Sequence, residues 1–156
     1  MGIDSNQDQI QKIIELSAPV SRVWQALTDH REFGEWFRVR LDQPFVVGEV
    51  TTGNITCPGY EHMEWESITE RMEFERLFVF SWPPSAIDPD RAYGPDARVV
   101  VAFELEPTDQ GGTRLTITES GFMQFPESKR LEVLRSNTEG WDIQAKNIAA
   151  HVEHSR

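Results

Sequence analysis

The sequence predicts an α+β domain in which one curved antiparallel sheet, of about six or seven strands, wraps a long C-terminal helix. Three observations carry that prediction. From Phe125 to His154, Leu131, Leu134, Thr138, Trp141, Ala145, Ile148 and Val152 follow one another in steps of three and four, which puts them on one helical face. Upstream, a series of short segments alternates apolar and polar residues with the period of a half-buried strand. The links between those segments are short and rich in turn residues, which favours antiparallel neighbours. A helix with one apolar stripe and a sheet with one apolar face each need the other for cover.

Taken in order, the chain opens with a polar stretch, Met1 to Asp8, expected to be frayed. Gln9–Ser17 reads as a strand with Ile10, Ile14 and Leu16 on one face and Ile13 on the other. Pro19 then starts a short helix in which Val20, Val23, Trp24 and Leu27 keep helical spacing. Asp29 and His30 mark its break, and Phe33, Trp36 and Phe37 belong to a second short helix. Strands are predicted at Arg38–Gln43, Glu49–Thr56, His62–Met72, Glu75–Trp82, Ala97–Pro107 and Thr113–Gly121. Pro44 with Gly48, Pro58-Gly59 and Gly111-Gly112 supply turns between them. In the last helix Pro126 suits the first turn, Glu127 the positive end of the macrodipole, and His151, His154 and Arg156 the negative end. Glu132, Glu139, Lys146 and Glu153 fall on its solvent face. No repeat or linker divides the 156 residues, so 1–156 is expected to be one domain.

Composition removes several functions. A net charge of −11 opposes nucleic acid and anionic membranes. No apolar run spans a bilayer, and the polar start is no signal peptide. The single cysteine, Cys57, excludes an internal disulfide and suggests a reducing, cytoplasmic setting; beside Pro58 and without a histidine partner in sequence it reads as a buried or incidental thiol. Asn54-Ile55-Thr56 is a glycosylation sequon with no meaning outside the secretory route.

Alternation sorts the strand faces. Val99, Val101, Phe103 and Leu105 point inward against Arg98, Glu104 and Glu106. Leu115 and Ile117 do so against Arg114, Thr116 and Thr118, and the same parity places Glu119 inward. Phe78, Phe80 and Trp82 form the heavier face of their strand, and Met63 shares a face with Trp65. An inward carboxylate is costly unless it is hydrated, paired or protonated. Glu119 therefore either sits at a cavity mouth or pairs with a nearby Arg or Trp N–H, or it orients a ligand or moves a proton. The five tryptophans and nine phenylalanines are many for such a chain. Trp36, Phe37, Trp65, Phe78, Phe80, Trp82, Phe103, Phe122 and Trp141 could line a pocket or simply fill the core; an aromatic wall with few polar groups is the usual form of a small-molecule site. Asn137 and Gln144 flank the helix stripe on either side of Trp141 and offer hydrogen bonds. Pro83–Asp96 is the longest expected loop and a candidate lid, with Tyr93 suited to cover an apolar opening while its hydroxyl stays in water.

Metal and nucleophilic chemistry find little footing. His62, Glu64 and Glu66 alternate along one strand, but such a row is more often a solvated strand face. Asp88-Pro89-Asp90 begins like a calcium loop, yet Val99 stands where the twelfth position needs an acid. The histidines at 30, 62, 151 and 154 are too scattered to build a nucleophile with base and orienting group. Phosphate-loop and dinucleotide fingerprints are absent.

Four segments taken together resemble one family: APVSRVWQALTD, PGYEHMEWE, RLFVFSWPP, and TRLTITESGF followed by a long helix containing EGW. They are similar to the bacterial branch of the activator of heat shock protein 90 ATPase homologues, in the START-like (SRPBCC) superfamily, over about residues 10 to 153. The resemblance implies a helix-grip fold with a hydrophobic cavity between sheet and helix. One departure is visible, since relatives often carry His where this chain has Pro83. The expected activity is binding of a small, largely hydrophobic molecule, with no metal or cofactor and with Val101 and Met63 among the lining residues. Two alternatives stay open: a cyclase- or dehydratase-like enzyme using Glu119, and a co-chaperone-like module that binds a protein partner or a second copy of itself.

Overall fold

A computed structural model describes residues 7–89 and 91–154, the side chain of His154 excepted. In chain order it runs β1 (Gln9–Leu16), α1 (Val20–Thr28), α2 (His30–Phe37), β2 (Val39–Leu41), β3 (Val50–Ile55), β4 (Glu64–Glu73), β5 (Leu77–Trp82), β6 (Val99–Pro107), β7 (Thr113–Ser120) and α3 (Glu127–His154). The seven strands make one open antiparallel sheet in the order β1-β7-β6-β5-β4-β3-β2. Strands β2 to β7 follow one another as neighbours. The pair α1–α2 carries the chain from β1, at one edge, to β2 at the other. This is the helix-grip arrangement, with α3 lying across the concave face.

The inward residues are those that alternation selects. Val99, Val101, Phe103 and Leu105 of β6, Leu115, Ile117 and Glu119 of β7, and Phe78 and Phe80 of β5 are all buried. The rings of Trp141 and Phe103 meet edge to face with centroids 6.0 Å apart. Phe33 gathers the second half of the core, touching the rings of Trp36, Phe37, Phe45, Trp65 and Phe80.

Several boundaries differ from expectation for identifiable reasons. Residues 1–6, His154's side chain and Arg156 lie outside the described residues. Asp8, expected to fray, is held instead: its carbonyl accepts the N–H groups of Gly121 (3.1 Å) and Phe122 (3.0 Å), and its Oδ1 accepts that of Met123 (2.9 Å). Gly121 makes this turn possible, since its φ of 109° lies where side-chain-bearing residues rarely go. His62 is not in β4. Tight turns, with Tyr60 N–H on Cys57 O (2.9 Å) and Met63 N–H on Tyr60 O (3.0 Å), delay the strand to Glu64. Within β4 the register shifts between Thr69 and Arg71, so Glu70 is an extra residue. Trp65 and Thr69 face inward before the bulge, and Met72 opposite Phe78 does so after it.

Pro126 stands just ahead of α3, and its carbonyl accepts the first helical bond from Arg130 N–H at 2.9 Å. Leu134, Trp141, Ala145, Ile148 and Val152 are buried, and Val133 is buried beside them, whereas Leu131 is only partly so. Thr138 fits the stripe because its hydroxyl donates to Leu134 O at 2.7 Å. At the far end Glu32 of α2 accepts from Arg22 (2.7 Å), and its Oε1 lies 2.9 Å from His151 Nε2. Glu153 accepts the backbone N–H of Ser17 at 2.8 Å. These bonds fix the C-terminal half of α3 to α1, α2 and the end of β1, and leave its N-terminal half to frame an open space.

Candidate functional site: a cavity under the N-terminal half of α3

Between that half of α3 and the ends of β4, β5 and β7 lies a cavity of about 540 Å³. Lys129, Glu132, Val133, Ser136, Asn137, Gly140, Trp141 and Gln144 face it from the helix, a set repeating at steps of three and four. Gly140 leaves the helix wall bare of a side chain at this point, and a Cβ there would meet nothing within 4 Å. Glycine inside a helix costs about 1 kcal/mol relative to alanine, so the empty position is held against local propensity.

Glu119, at the end of β7, forms part of the wall and is only 1% exposed. Among the described residues no cation pairs with it. Instead its Oε1 accepts Trp141 Nε1–H (2.9 Å) and Asn137 Nδ2–H (3.0 Å), and its Oε2 accepts Trp82 Nε1–H (3.2 Å). Asn137 and Trp141 reach the same oxygen because residues four apart share a helical face. Burial pushes the Glu119 carboxyl above the usual carboxylate range, and the three N–H donors pull it only part of the way back. Burial with donor N–H groups, rather than a watery mouth, is thus the state of this carboxylate.

Trp65 and Trp82 meet edge to face at 5.3 Å and, with Phe37 and Trp141, give the cavity aromatic walls. Gln144 donates to Phe37 O at 3.2 Å and so ties α3 to the end of α2. Glu64, Glu66 and Glu132 are exposed at the rim. Ala86, Ile87, Asp88 and Pro89 close a further side.

That closing segment is more ordered than a structureless lid. A 3₁₀ turn spans Pro84–Ala86, and buried Asp88 anchors the rest by accepting Tyr93 Oη–H (2.7 Å) and Lys129 Nζ–H (3.3 Å). The hydrogen bond from Tyr93 holds the Asp88 carboxyl low, burial works against it, and Lys129 adds to the lowering. Burial and the bond to Asp88 push the Tyr93 phenol up to about 12. Tyr93 does not cover the opening. Its ring packs on Phe125 with centroids 5.7 Å apart, and its hydroxyl points to Asp88 rather than to water.

Of the residues singled out in the sequence, the cavity brings together Phe37, Met63, Trp65, Trp82, Glu119, Asn137, Trp141 and Gln144. Trp36, Phe78, Phe80, Val101, Phe103 and Phe122 do not reach it; they are buried in the core. Trp36 illustrates why, since its Nε1–H donates to Ala26 O (2.9 Å) and locks the ring between α1 and α2. The 86–89 segment lies within the stretch read as a candidate lid, whereas Ile55 and the α3 residues Lys129, Glu132, Val133, Ser136 and Gly140 were missed. Gly140 alone carried a signal, as a glycine in mid-helix. Among the described residues no three possible metal ligands cluster, and His62 is separated from the strand row of Glu64 and Glu66.

The family model described as Activator of Hsp90 ATPase homolog 1-like protein matches residues 17–153. No curated protein matches the sequence. Solved structures share the fold. Protein MLL2253 from Mesorhizobium loti is 21% identical, with TM-score 0.73 over 95% of this chain and 98% of that one. A protein from Arthrobacter aurescens is 18% identical, with TM-score 0.74 over 99% and 91%. The Aha1 dimer from Colwellia psychrerythraea is 16% identical, with TM-score 0.69 over 94% and 97%.

Proposed function

The chain belongs to the family of Activator of Hsp90 ATPase homolog 1-like proteins, and on that premise we propose that it binds one small, largely apolar molecule between its sheet and α3, as a single cytoplasmic START-like domain. The observation that carries this reading is the cavity between sheet and α3, walled by aromatic rings and by the bare backbone of Gly140. The cavity's volume falls within the range of small-molecule sites, and its aromatic walls with a few convergent polar groups have their usual composition. Glu119, held by three donors from β5 and α3, is preorganised to orient the polar end of that molecule.

Native mass spectrometry tests it. Protein lysed gently from its source should carry an added mass of small-molecule size, and Gly140→Phe, which fills the space, should carry none. A wild type that stays at its bare mass even after incubation with a lipophilic extract of the same cells defeats the reading.

A second reading, an enzyme using Glu119 for proton transfer, is favoured by one observation: burial raises this carboxyl toward the range useful for a general acid or base. Its N–H partners cannot accept a proton, so they offer no relay. Once a ligand is in hand, chromatography after incubation decides. Product formed by the wild type and absent with Glu119→Gln promotes the enzyme, and unchanged ligand in both leaves the binder.

A further inference from the structure

The wall of the cavity has a charge pattern at odds with a purely apolar guest. Among the described residues, Glu64, Glu66, Asp88, Glu119 and Glu132 contribute to it, against one cation, Lys129, which is already engaged with Asp88. Glu119 is the decisive member. A sealed carboxylate is normally matched by a cation or given up as the neutral acid, and here the N–H dipoles of two tryptophans and an asparagine stand in for a counter-ion. Oε1 accepts two of these bonds and Oε2 only one, so Oε2 keeps a lone pair for a further donor. Trp65, Trp82 and Trp141 line the same cavity, and indole rings attract organic cations at their faces. The exposed rim glutamates and the chain's net charge of −11 raise the local concentration of cations at the opening.

Given the cavity as a ligand site, we propose that it selects small amphiphiles bearing a protonated amine, whose ammonium supplies the missing counter-ion to Glu119 while the apolar body lies among the tryptophans. Binding then draws the carboxyl into its ionised form, because a positive charge at hydrogen-bond distance favours the anion that burial disfavours. The same wall disfavours carboxylates, which would meet the rim glutamates Glu64, Glu66 and Glu132 and, among the described residues of the wall, find no free cation to pair with. Neutral molecules of equal shape enter and gain at most a hydrogen bond from Glu119, without the ion pair.

Three probes with one body and different heads separate these cases: 2-(1-naphthyl)ethylamine, the corresponding alcohol and 1-naphthylacetate, titrated calorimetrically against the intact protein. The amine should bind at least about tenfold more tightly than the alcohol, and the acetate most weakly. That advantage should persist in high salt, which screens the exposed rim but not a buried pair. Glu119→Gln should erase the advantage by weakening the amine far more than the alcohol, whereas Glu139→Gln, on the exposed face of α3 away from the cavity, should leave the advantage in place. An alcohol bound as tightly as the amine, or an advantage that survives Glu119→Gln or vanishes with salt, overturns the proposal. Alcohol binding that is lost in Gly140→Phe keeps the cavity as a ligand site even then, and no binding of any of the three removes both readings. The head-group comparison needs only the wild type, so it stands even if Glu119→Gln fails to fold.

Discussion

Trp141 Nε1–H donates to Glu119 Oε1 at 2.9 Å, and this bond is where the gripping helix and the gripped sheet meet. Both side chains are nearly sealed from water, so neither can trade the bond for a solvent partner without opening the interface. The indole serves two purposes at once. Its ring fills the core against Phe103 and Phe37, and its N–H holds the carboxylate at the cavity wall.

Deleting that ring should therefore be expensive. Trp141→Ala is expected to cost about 3–5 kcal/mol, the range for removing a large buried aromatic. Trp141→Phe keeps most of the packing and leaves Glu119 one donor short, at a cost of about 1–3 kcal/mol. Urea midpoints of the two variants and the wild type measure both. A change well below 1 kcal/mol in Trp141→Ala contradicts the packing described here.

Glu119 also predicts a pH dependence. Its folded carboxyl titrates above its unfolded value of about 4.5, through burial. The stability it contributes is then fully present below that unfolded value and is lost as pH rises through the folded one. Relative to Glu119→Gln, the wild type should be favoured more at about pH 4 than at about pH 8. Subtracting the variant removes other titrations, such as that of Glu32. Burial pushes Glu32 upward, but His151 and Arg22 outweigh it and hold the group low, so it acts in the opposite sense. A difference that grows in favour of the wild type with rising pH contradicts the burial argument.

The segment from Pro83 to Asp96 is expected to be held by Asp88 and to tighten when the cavity fills. Tyr93→Phe removes one of the two donors to Asp88 and should speed proteolytic cutting in this segment at neutral pH, where the phenol is fully protonated. Added ligand should slow cutting in both proteins, because Ala86, Ile87, Asp88 and Pro89 form part of the wall. Equal cutting with and without a bound ligand removes any lid role.

How much of this was legible in the sequence differs between fold and site. Strand alternation at Val99–Pro107 and Thr113–Ser120, and the three-four spacing along α3, express burial directly, so they gave the sheet, the helix and the inward Glu119. Parity tells inside from outside but not depth. Phe78, Phe80 and Phe103 share a face with Trp82, yet they pack in the core while Trp82 reaches the cavity at the strand's end. The β4 bulge and the turn that excludes His62 depend on tertiary contacts with no local signature. Glu132 reads as a solvent-facing helix residue because a cavity rim is polar, and Lys129 and Ser136 beside it carry no signal of their own. Gly140 was readable in principle, since a mid-helix glycine asks for a reason, and here it lines the cavity.

The most direct test uses that glycine. N-phenyl-1-naphthylamine, a neutral dye that brightens in apolar surroundings, is titrated with the wild type and with Gly140→Phe, and thermal melting of both is recorded alongside. The account predicts saturable one-site binding to the wild type. It predicts loss of that binding by at least about tenfold in the variant, with a melting temperature equal to or above the wild type's because glycine leaves the helix interior. Equal dye binding by two equally stable proteins, or none by the wild type, would contradict the claim that the space beneath α3 is a ligand site.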